Sequence, residues 1–346
     1  MHIYVWCCDF RNFTGEGNLA RNFLVHISIE KNINFLVFSP QGIWKVNKSI
    51  RQTKSFFKRV DINPSFMDYF YPFIGIFFLW IFFFLRKRTL YLNFCPLWNF
   101  FIFMLSPPNN IFGPITGSVY NGKVTSISTF IRKFIFIIFF KISIFFIYIR
   151  KIKIILTTSL LINFLSKKKI LFFENYQILS FFIYKKKNNF YKKDIDLIFY
   201  NRRHDLKNSN FFRNIISKLN PLIKIYVVGD TIKNEKVINI GKIKNDTIMK
   251  YLKKTRYIFS SSENLYSFFN MEALFCGAKI IYSDMNYNQS LLFCKKNFFY
   301  IKNNDSFLFS LNKILKTKFK KSHKLDFEII NKFNKKFNLF IKDSFV

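Results

Sequence analysis

The sequence predicts an α/β chain of two domains, each built on a parallel β-sheet with helices on both faces. Three observations carry that reading. Short β-prone runs alternate with amphipathic helical runs along most of the chain, the pattern of strand–helix–strand units. The 346 residues suffice for two hydrophobic cores and are too many for one ordinary domain. A cationic interruption, Lys185-Lys186-Lys187-Asn188-Asn189 followed by Lys192-Lys193, separates two hydrophobic regions and reads as a linker. The expected division is therefore residues 1–184, a linker at 185–193, a second domain at 194–325 and a closing helical segment at 326–346.

Composition narrows the partners. Lys and Arg number 55 against 19 Asp and Glu, a formal charge of +36, and Phe alone supplies 51 residues. Phe, Ile, Lys and Asn are all read from A/T-rich codons, so a skewed base composition accounts for part of this excess. It does not account for the scarcity of Glu, whose codons can be equally A-rich. The positive balance points to nucleic acid, anionic lipid or a phosphate-bearing small molecule. The lysines are interleaved with long Phe/Ile runs, and no zinc knuckle, helix-turn-helix or RNA-binding strand signature is present, which removes nucleic acid. Five cysteines without a C-x-x-C pair read as small buried hydrophobes in a reducing compartment. The opening MHIYVWCCDF lacks a basic n-region and a cleavage site, so no signal peptide is expected.

In order, His2 to Cys8 reads as a strand, Thr14-Gly15-Glu16-Gly17-Asn18 as a glycine loop, and Leu19, Ala20, Phe23, Leu24 and Ile27 as the apolar stripe of the helix that follows. Amides at such a helix start suit an anion, although the dinucleotide pattern G-x-G-x-x-G is broken by Ala20. Asn34 to Ser39 is the second strand, with Pro40, Gln41 and Gly42 as its exit turn. Tyr69 to Leu85 is 17 residues without a charge, closed by Arg86-Lys87-Arg88. Two readings stand: a buried helix, or a helix dipping into or spanning a membrane at 69–88. A strand at Thr89 to Phe94, a helix at Leu97 to Leu105 and a strand with a glycine-marked loop at Ile111 to Tyr120 follow. Ile131 to Lys153 sets basic residues among Phe/Ile blocks, which suits either a core helix with snorkelling lysines or a surface-seeking helix at an anionic bilayer.

After the linker the strands are Asp196 to Tyr200, Ile223 to Val228 (closing at Gly229-Asp230) and Val237 to Ile240. Asn201 to Lys207 is a basic loop, Asn210 to Leu219 a helix, and Asn245 or Asp246 caps another through Lys254. The most legible stretch is Arg256 to Asp284. It reads as a strand, a serine loop at Ser260 to Ser262 offering helix-capping hydroxyls, a helix carrying Glu272 inward, a stop at Gly277 and a strand at Ile280 to Tyr282. A carboxylate amid Met271 and Ala273 is costly to bury unpaired, so Glu272 is expected to meet a polar ligand or a basic partner. Asn297 to Ile301 and Phe307 to Leu315 add a strand and a helix, and Phe327 to Phe340 a last amphipathic segment.

Taken together, TGEGNLARNF, DLIFYNRRHDLK, IYVVGD and INIGKIKNDTIMKYLKKTRYIFSSSENLYSFFNMEALFCGAKIIYSD make the chain resemble the retaining, nucleotide-sugar-dependent glycosyltransferases of the GT-B fold. The resemblance implies two Rossmann-like domains whose parallel sheets face a cleft. It implies that Glu272 binds the donor ribose, that Arg202, Arg203 and Lys207 face the diphosphate, and that Ser262 and Tyr266 lie near the sugar or diphosphate. Gly15, Glu16 and Gly17 would form the phosphate and acceptor loop. The family's first acidic position falls on Asn264, whereas the acid present is Glu263, one residue early; either fills the catalytic place. The resemblance implies no cofactor beyond the nucleotide-sugar co-substrate, and the clustered cations make a metal unnecessary to carry the leaving group's charge. Asp194-Ile195-Asp196 looks like the metal motif of another glycosyltransferase fold but runs straight into a strand. His204 reads as a loop histidine.

The expected activity is transfer of a sugar to a lipid-linked or cell-surface polysaccharide acceptor, in the cytoplasm and peripherally on the inner membrane. The alternatives are a membrane-embedded structural or transport component, resting on Tyr69 to Leu85 and Phe134 to Ile149, and a degenerate GT-B protein that binds without catalysing.

Overall fold

A computed structural model describes residues 2–11, 15–56, 70–93, 95–115, 127–156, 161, 170–172, 192–201, 214–243, 245–260, 265, 267–283, 295–302, 306–319 and 339. The chain divides into two compact units, Met1–Ile178 with Lys332–Val346, and Leu179–Asn331.

The first unit is an eight-stranded sheet. Its strands are β1 (His2–Cys7), β2 (Asn34–Ser39), β3 (Gly42–Asn47), β4 (Ser49–Ser55), β5 (Thr89–Leu92), β6 (Ile111–Ile115), β7 (Lys153–Leu156) and β8 (Ile170–Phe172), in the order β4-β3-β2-β1-β5-β6-β7-β8. From β2 through β1 to β8 every pairing is parallel, with Val5 opposite Val37 on one side and Leu90 on the other. The expectation of a wholly parallel sheet is corrected at one edge, where β3 and β4 return as antiparallel hairpins on β2. Gly42, expected in a turn, opens β3.

Helix α1 (Gly15–Lys31) joins β1 to β2 and packs on β2, β3 and β4, burying Leu19, Ala20, Phe23, Leu24 and Ile27 as their spacing requires. Helix α2 (Tyr71–Phe84) packs on β1 and β5. Gly75 lets it come close, since a Cβ there would stand 2.3 Å from the Trp6 indole. Pro72 occupies the first turn, where no amide is needed. Helix α3 (Phe100–Leu105) and α5 (Phe136–Ile149) complete this layer; α5 is entered from α4 (Ile127–Phe130) through a π-helical turn at Ile131–Ile135. Trp6, Ile76, Leu79, Tyr91, Phe103, Phe112 and Phe140 form one core between these helices and the sheet.

Two expectations change here. Within the apolar run, α2 is a half-buried helix: Pro72, Gly75, Ile76, Phe78 and Leu79 are buried, Phe82 stacks on Tyr4, and the opposite side is exposed. At 14 residues it reaches about 21 Å, short of a bilayer core. Among the described residues no helix is long and apolar enough to cross a membrane. The helix expected to run to Lys153 stops at Ile149: Lys151 takes a left-handed φ of 52°, and Lys153 already belongs to β7.

The second unit is a six-stranded sheet, parallel throughout: β9 (Ile195–Asn201), β10 (Ile225–Gly229), β11 (Val237–Gly241), β12 (Thr255–Phe259), β13 (Lys279–Tyr282) and β14 (Phe298–Tyr300), in the order β11-β10-β9-β12-β13-β14. Numbered within the unit this is 3-2-1-4-5-6, the doubly wound order. Helices α6 (Asn245–Lys254), α7 (Phe268–Phe275) and α8 (Phe307–Lys316) connect and cover it. Leu197, Phe199, Val227, Phe259, Ile281, Phe307 and Leu311 share its core.

Candidate active site

In the doubly wound order the chain leaves β9 toward β10 on one side and leaves β12 toward β13 on the other. The loops beyond the carboxyl ends of β9 and β12 therefore part, and a ligand crevice opens there. Asn201, expected in the loop, is instead the last residue of β9 and fully buried. Its Nδ2 donates to the Asp230 carbonyl at 2.6 Å, and its own carbonyl accepts from the Asp230 amide at 2.8 Å, so the tips of β9 and β10 are stitched together. Gly229 permits this approach with φ +99°, because a Cβ there would lie 2.2 Å from the Asn201 carbonyl oxygen. The remaining side-chain oxygen of Asn201, Oδ1, is buried without a hydrogen-bond partner.

Across the switch point stands α7. Its cap is Ser267, not a serine of the 260–262 run: the Ser267 backbone is extended and its Oγ accepts from the Asn270 amide at 3.4 Å. The amides of Phe268 and Phe269 have no carbonyl within the helix to donate to, and with the helix dipole they offer positive potential at this end. Asn270, buried inside the first turn, donates through Nδ2 to Ser260 Oγ at 2.9 Å and to the Leu265 carbonyl at 2.8 Å. That pair ties the start of α7 to the end of β12. The Tyr200 ring stacks on Phe269 with centroids 5.3 Å apart, linking β9 to the same helix start.

Glu272 lies two residues on and is 6% exposed, as the sequence led us to expect of a carboxylate carried inward. Helix α7 closes on a Schellman turn: Gly277 takes φ +78°, its amide donates to Leu274, and the Ala278 amide donates to Ala273. Lys193 Nζ donates to the Cys276 carbonyl at 2.8 Å, a cation at the negative end of the helix. Burial lowers the Lys193 pKa to about 8. Burial also raises the Cys276 thiol to about 12, which leaves it protonated and inert.

The first unit has its own switch point between β1 and β5. Asp9 holds Arg11 through both carboxylate oxygens, Nε at 2.9 Å and Nη2 at 3.0 Å, and its amide donates to Asn93 Oδ1 at 3.1 Å. Gln41 Oε1 accepts from the Phe10 amide at 3.3 Å and from Ser39 Oγ. Gly15, Glu16 and Gly17, expected in a loop, form the first turn of α1 itself. Glu16 puts a carboxylate in the first turn of that helix, and Arg11 is paired with Asp9.

Of the residues expected at the site, Glu272, Gly15, Glu16 and Gly17 are described. Arg202, Arg203, Lys207, Ser262, Glu263, Asn264, Tyr266 and His204 lie outside the described residues. The D-x-D run is structural at its second acid. Asp196 Oδ1 accepts from Arg256 Nη1 at 2.6 Å and Oδ2 from the Lys224 amide at 2.9 Å, at the amino end of β9. That is about 17 Å along the strand from Asn201. Among the described residues no group of three His, Cys, Asp or Glu could hold a metal ion. Asn201 and Asn270 were not foreseen; Asn270 carried the same signal as Glu272, a polar residue in an apolar helix.

No protein-family model matches the sequence, and no curated protein matches it. Solved structures do. Sucrose-phosphate synthase from Thermosynechococcus elongatus superposes with a TM-score of 0.55 at 10% identity, over 99% of this chain and 100% of that one. WaaG, a glycosyltransferase involved in lipopolysaccharide biosynthesis, gives 0.53 at 10% identity over 96% and 93%. The T4 phage BGT in complex with UDP-glucose gives 0.52 at 14% identity over 99% of each chain. At such identities the likeness is one of fold.

Proposed function

We propose that this chain, which has the GT-B fold, transfers a sugar from a nucleotide-sugar donor, and that its second unit holds the donor. The observation that carries the proposal is a buried polar ledge at the carboxyl ends of β9 and β12: Asn201 with its unpartnered Oδ1 on β9, and Ser260 bonded to Asn270 in the first turn of α7, with Glu272 buried two residues further along that helix. A nucleoside diphosphate suits such a ledge. Its phosphates would take the free amides of α7 and the side chains of Arg202, Arg203 and Lys207, and Glu272 would accept from the ribose hydroxyls.

As the glycosidic bond to the leaving diphosphate breaks, negative charge accumulates on the phosphate oxygens, and fixed amides and guanidinium groups aimed there lower the barrier. Glu263 or Asn264 would contact the transferred sugar. On this reading the reaction proceeds with retention and without a metal, and the acceptor is a lipid-linked or surface glycan met at the cytoplasmic face of the inner membrane.

Thermal unfolding with a panel of nucleotide sugars tests the reading. UDP-glucose or another member should raise the melting temperature of the wild type. Glu272→Gln, isosteric and so expected to fold, should lose that rise. A panel without effect on either protein sinks the proposal. Binding without sugar release or transfer would select the degenerate, non-catalytic variant of it. Turnover unchanged by a chelator is the expected result for the metal-free mechanism, and recovery only on added divalent cation would overturn that part.

A further inference from the structure

Among the described residues, the first unit carries an exposed aromatic face. On α2 the outward stripe includes Phe77 and Phe84, 68% and 74% exposed; on α3 it includes Phe101; on α5 it includes Ile138, Phe145 and Tyr148. Spacings of seven on α2, and of seven and three on α5, keep each set on one side of its helix, opposite the residues that face the sheet. The three helices belong to one layer over one core. Trp80 Nε1 donates to the Leu105 carbonyl at 2.8 Å, joining α2 to α3, and Arg150 Nη2 donates to the Met104 carbonyl at 3.2 Å, joining the end of α5 to α3. The face is thus a preformed platform rather than a set of loose side chains.

Charge says what it meets. Between Asp68 and Glu174 the sequence contains no Asp or Glu, while Arg86, Lys87, Arg88, Lys141, Arg150 and Lys151 all fall in or beside the layer. Helices α2 and α5 both end where β5 and β7 begin, so the basic residues after them collect at the amino-end margin of the sheet, and Lys141 lies exposed within the α5 stripe. A second copy would bring cation against cation. Single-stranded nucleic acid would satisfy the charge and could stack bases on single rings, but it gains nothing from the aliphatic positions set among them, such as Ile74, Ile81 and Ile138. An anionic bilayer satisfies both, since aromatic rings settle at the headgroup level and Lys and Arg draw in acidic lipid.

We infer that the outer face of α2, α3 and α5 is a docking surface for anionic lipid bilayers. This inference stands independently of the sugar-transfer reading. Co-sedimentation of the full chain with vesicles tests it, using phosphatidylcholine alone against phosphatidylcholine and phosphatidylglycerol in equal parts. The wild type should bind the second and not the first. The triple change Lys87→Gln, Lys141→Gln and Lys151→Gln should weaken binding on the order of a hundredfold, about fivefold for each lysine at an anionic surface. Phe77→Ser with Phe84→Ser and Phe145→Ser should abolish it at an unchanged melting temperature, and Phe309→Ser on the second unit, 72% exposed, should leave it intact. Equal binding to both vesicles, binding by the phenylalanine variant, no binding by the wild type, or binding to RNA in place of vesicles would each overturn the inference.

Discussion

Replacing Gly229 by alanine tests whether the tips of β9 and β10 are held as tightly as their geometry implies. The residue sits at φ +99°, a region that costs an L-residue about 1–2 kcal/mol. The added Cβ would also meet the Asn201 carbonyl oxygen at 2.2 Å, so the strand tip must withdraw by about 1.2 Å to reach an ordinary 3.4 Å contact. That motion strains a packed site, at about 1–3 kcal/mol, and lengthens the 2.8 Å bond from the Asp230 amide, worth about 1 kcal/mol. The sum, about 4 kcal/mol, is a large share of the 5–15 kcal/mol that holds a domain together. Gly241 is the internal control. It also has a positive φ, +78°, but a Cβ there meets nothing within 4 Å, so Gly241→Ala should cost only the backbone term of about 1–2 kcal/mol. The assay is denaturant unfolding followed by circular dichroism. All four tryptophans, Trp6, Trp44, Trp80 and Trp98, belong to the first unit, so their fluorescence reports that unit alone. Gly229→Ala should move the dichroism transition and leave the fluorescence transition in place. Equal losses for the two alanine variants would refute the contact argument.

Three further outcomes are expected. Asn270→Ala leaves Ser260 Oγ and the Leu265 carbonyl without their donor and loosens the start of α7. It should cost about 2–4 kcal/mol in the same dichroism transition and reduce the thermal shift given by whichever nucleotide sugar stabilises the wild type. Lys193 has its folded pKa lowered to about 8 from an ordinary 10.5, so between those values the unfolded chain binds more protons and stability rises with pH. The stability of wild type relative to Lys193→Met should therefore grow from pH 8 to pH 10.5, and a constant difference across that window would contradict the assignment. Asp196→Ala removes a half-buried pair with Arg256 and the acceptor of the Lys224 amide. It should lower stability by about 1–3 kcal/mol and leave donor affinity unchanged; a loss of donor binding at constant stability would revive the metal reading of the D-x-D run.

How much of this was legible follows from where local chemistry and tertiary packing agree. The stretch around α7 was readable because Gly277 is needed by the helix's own closing turn, and Glu272 stands out among apolar neighbours whatever packs on them. The cap was misplaced because any serine near a helix start can serve. Which one does depends on where the loop beyond β12 lets α7 begin, and that is set by the bonds of Asn270 to Ser260 and Leu265. Strand β4 was invisible for a different reason: SIRQTKS is exposed nearly throughout, shows no alternation, and is a strand only because β3 lies beside it.

The same argument explains the hardest parts of the chain. From 69 to 153 apolar residues occur on every side of each helix, so periodicity carries no phase and cannot say which residues face the sheet. Contact supplies the phase: Gly75 falls against Trp6, and everything one half-turn away on α2 is left outside. The break between α5 and β7 is likewise unmarked, because Arg150, Lys151 and Lys153 interrupt Ile-rich sequence equally on either side. Sequence uniformity of this kind is uninformative about fold but not about function. A core helix needs only one apolar face, and the second one on α2, with Phe77 and Phe84 exposed and Arg86-Lys87-Arg88 at its end, is the feature that the bilayer proposal accounts for.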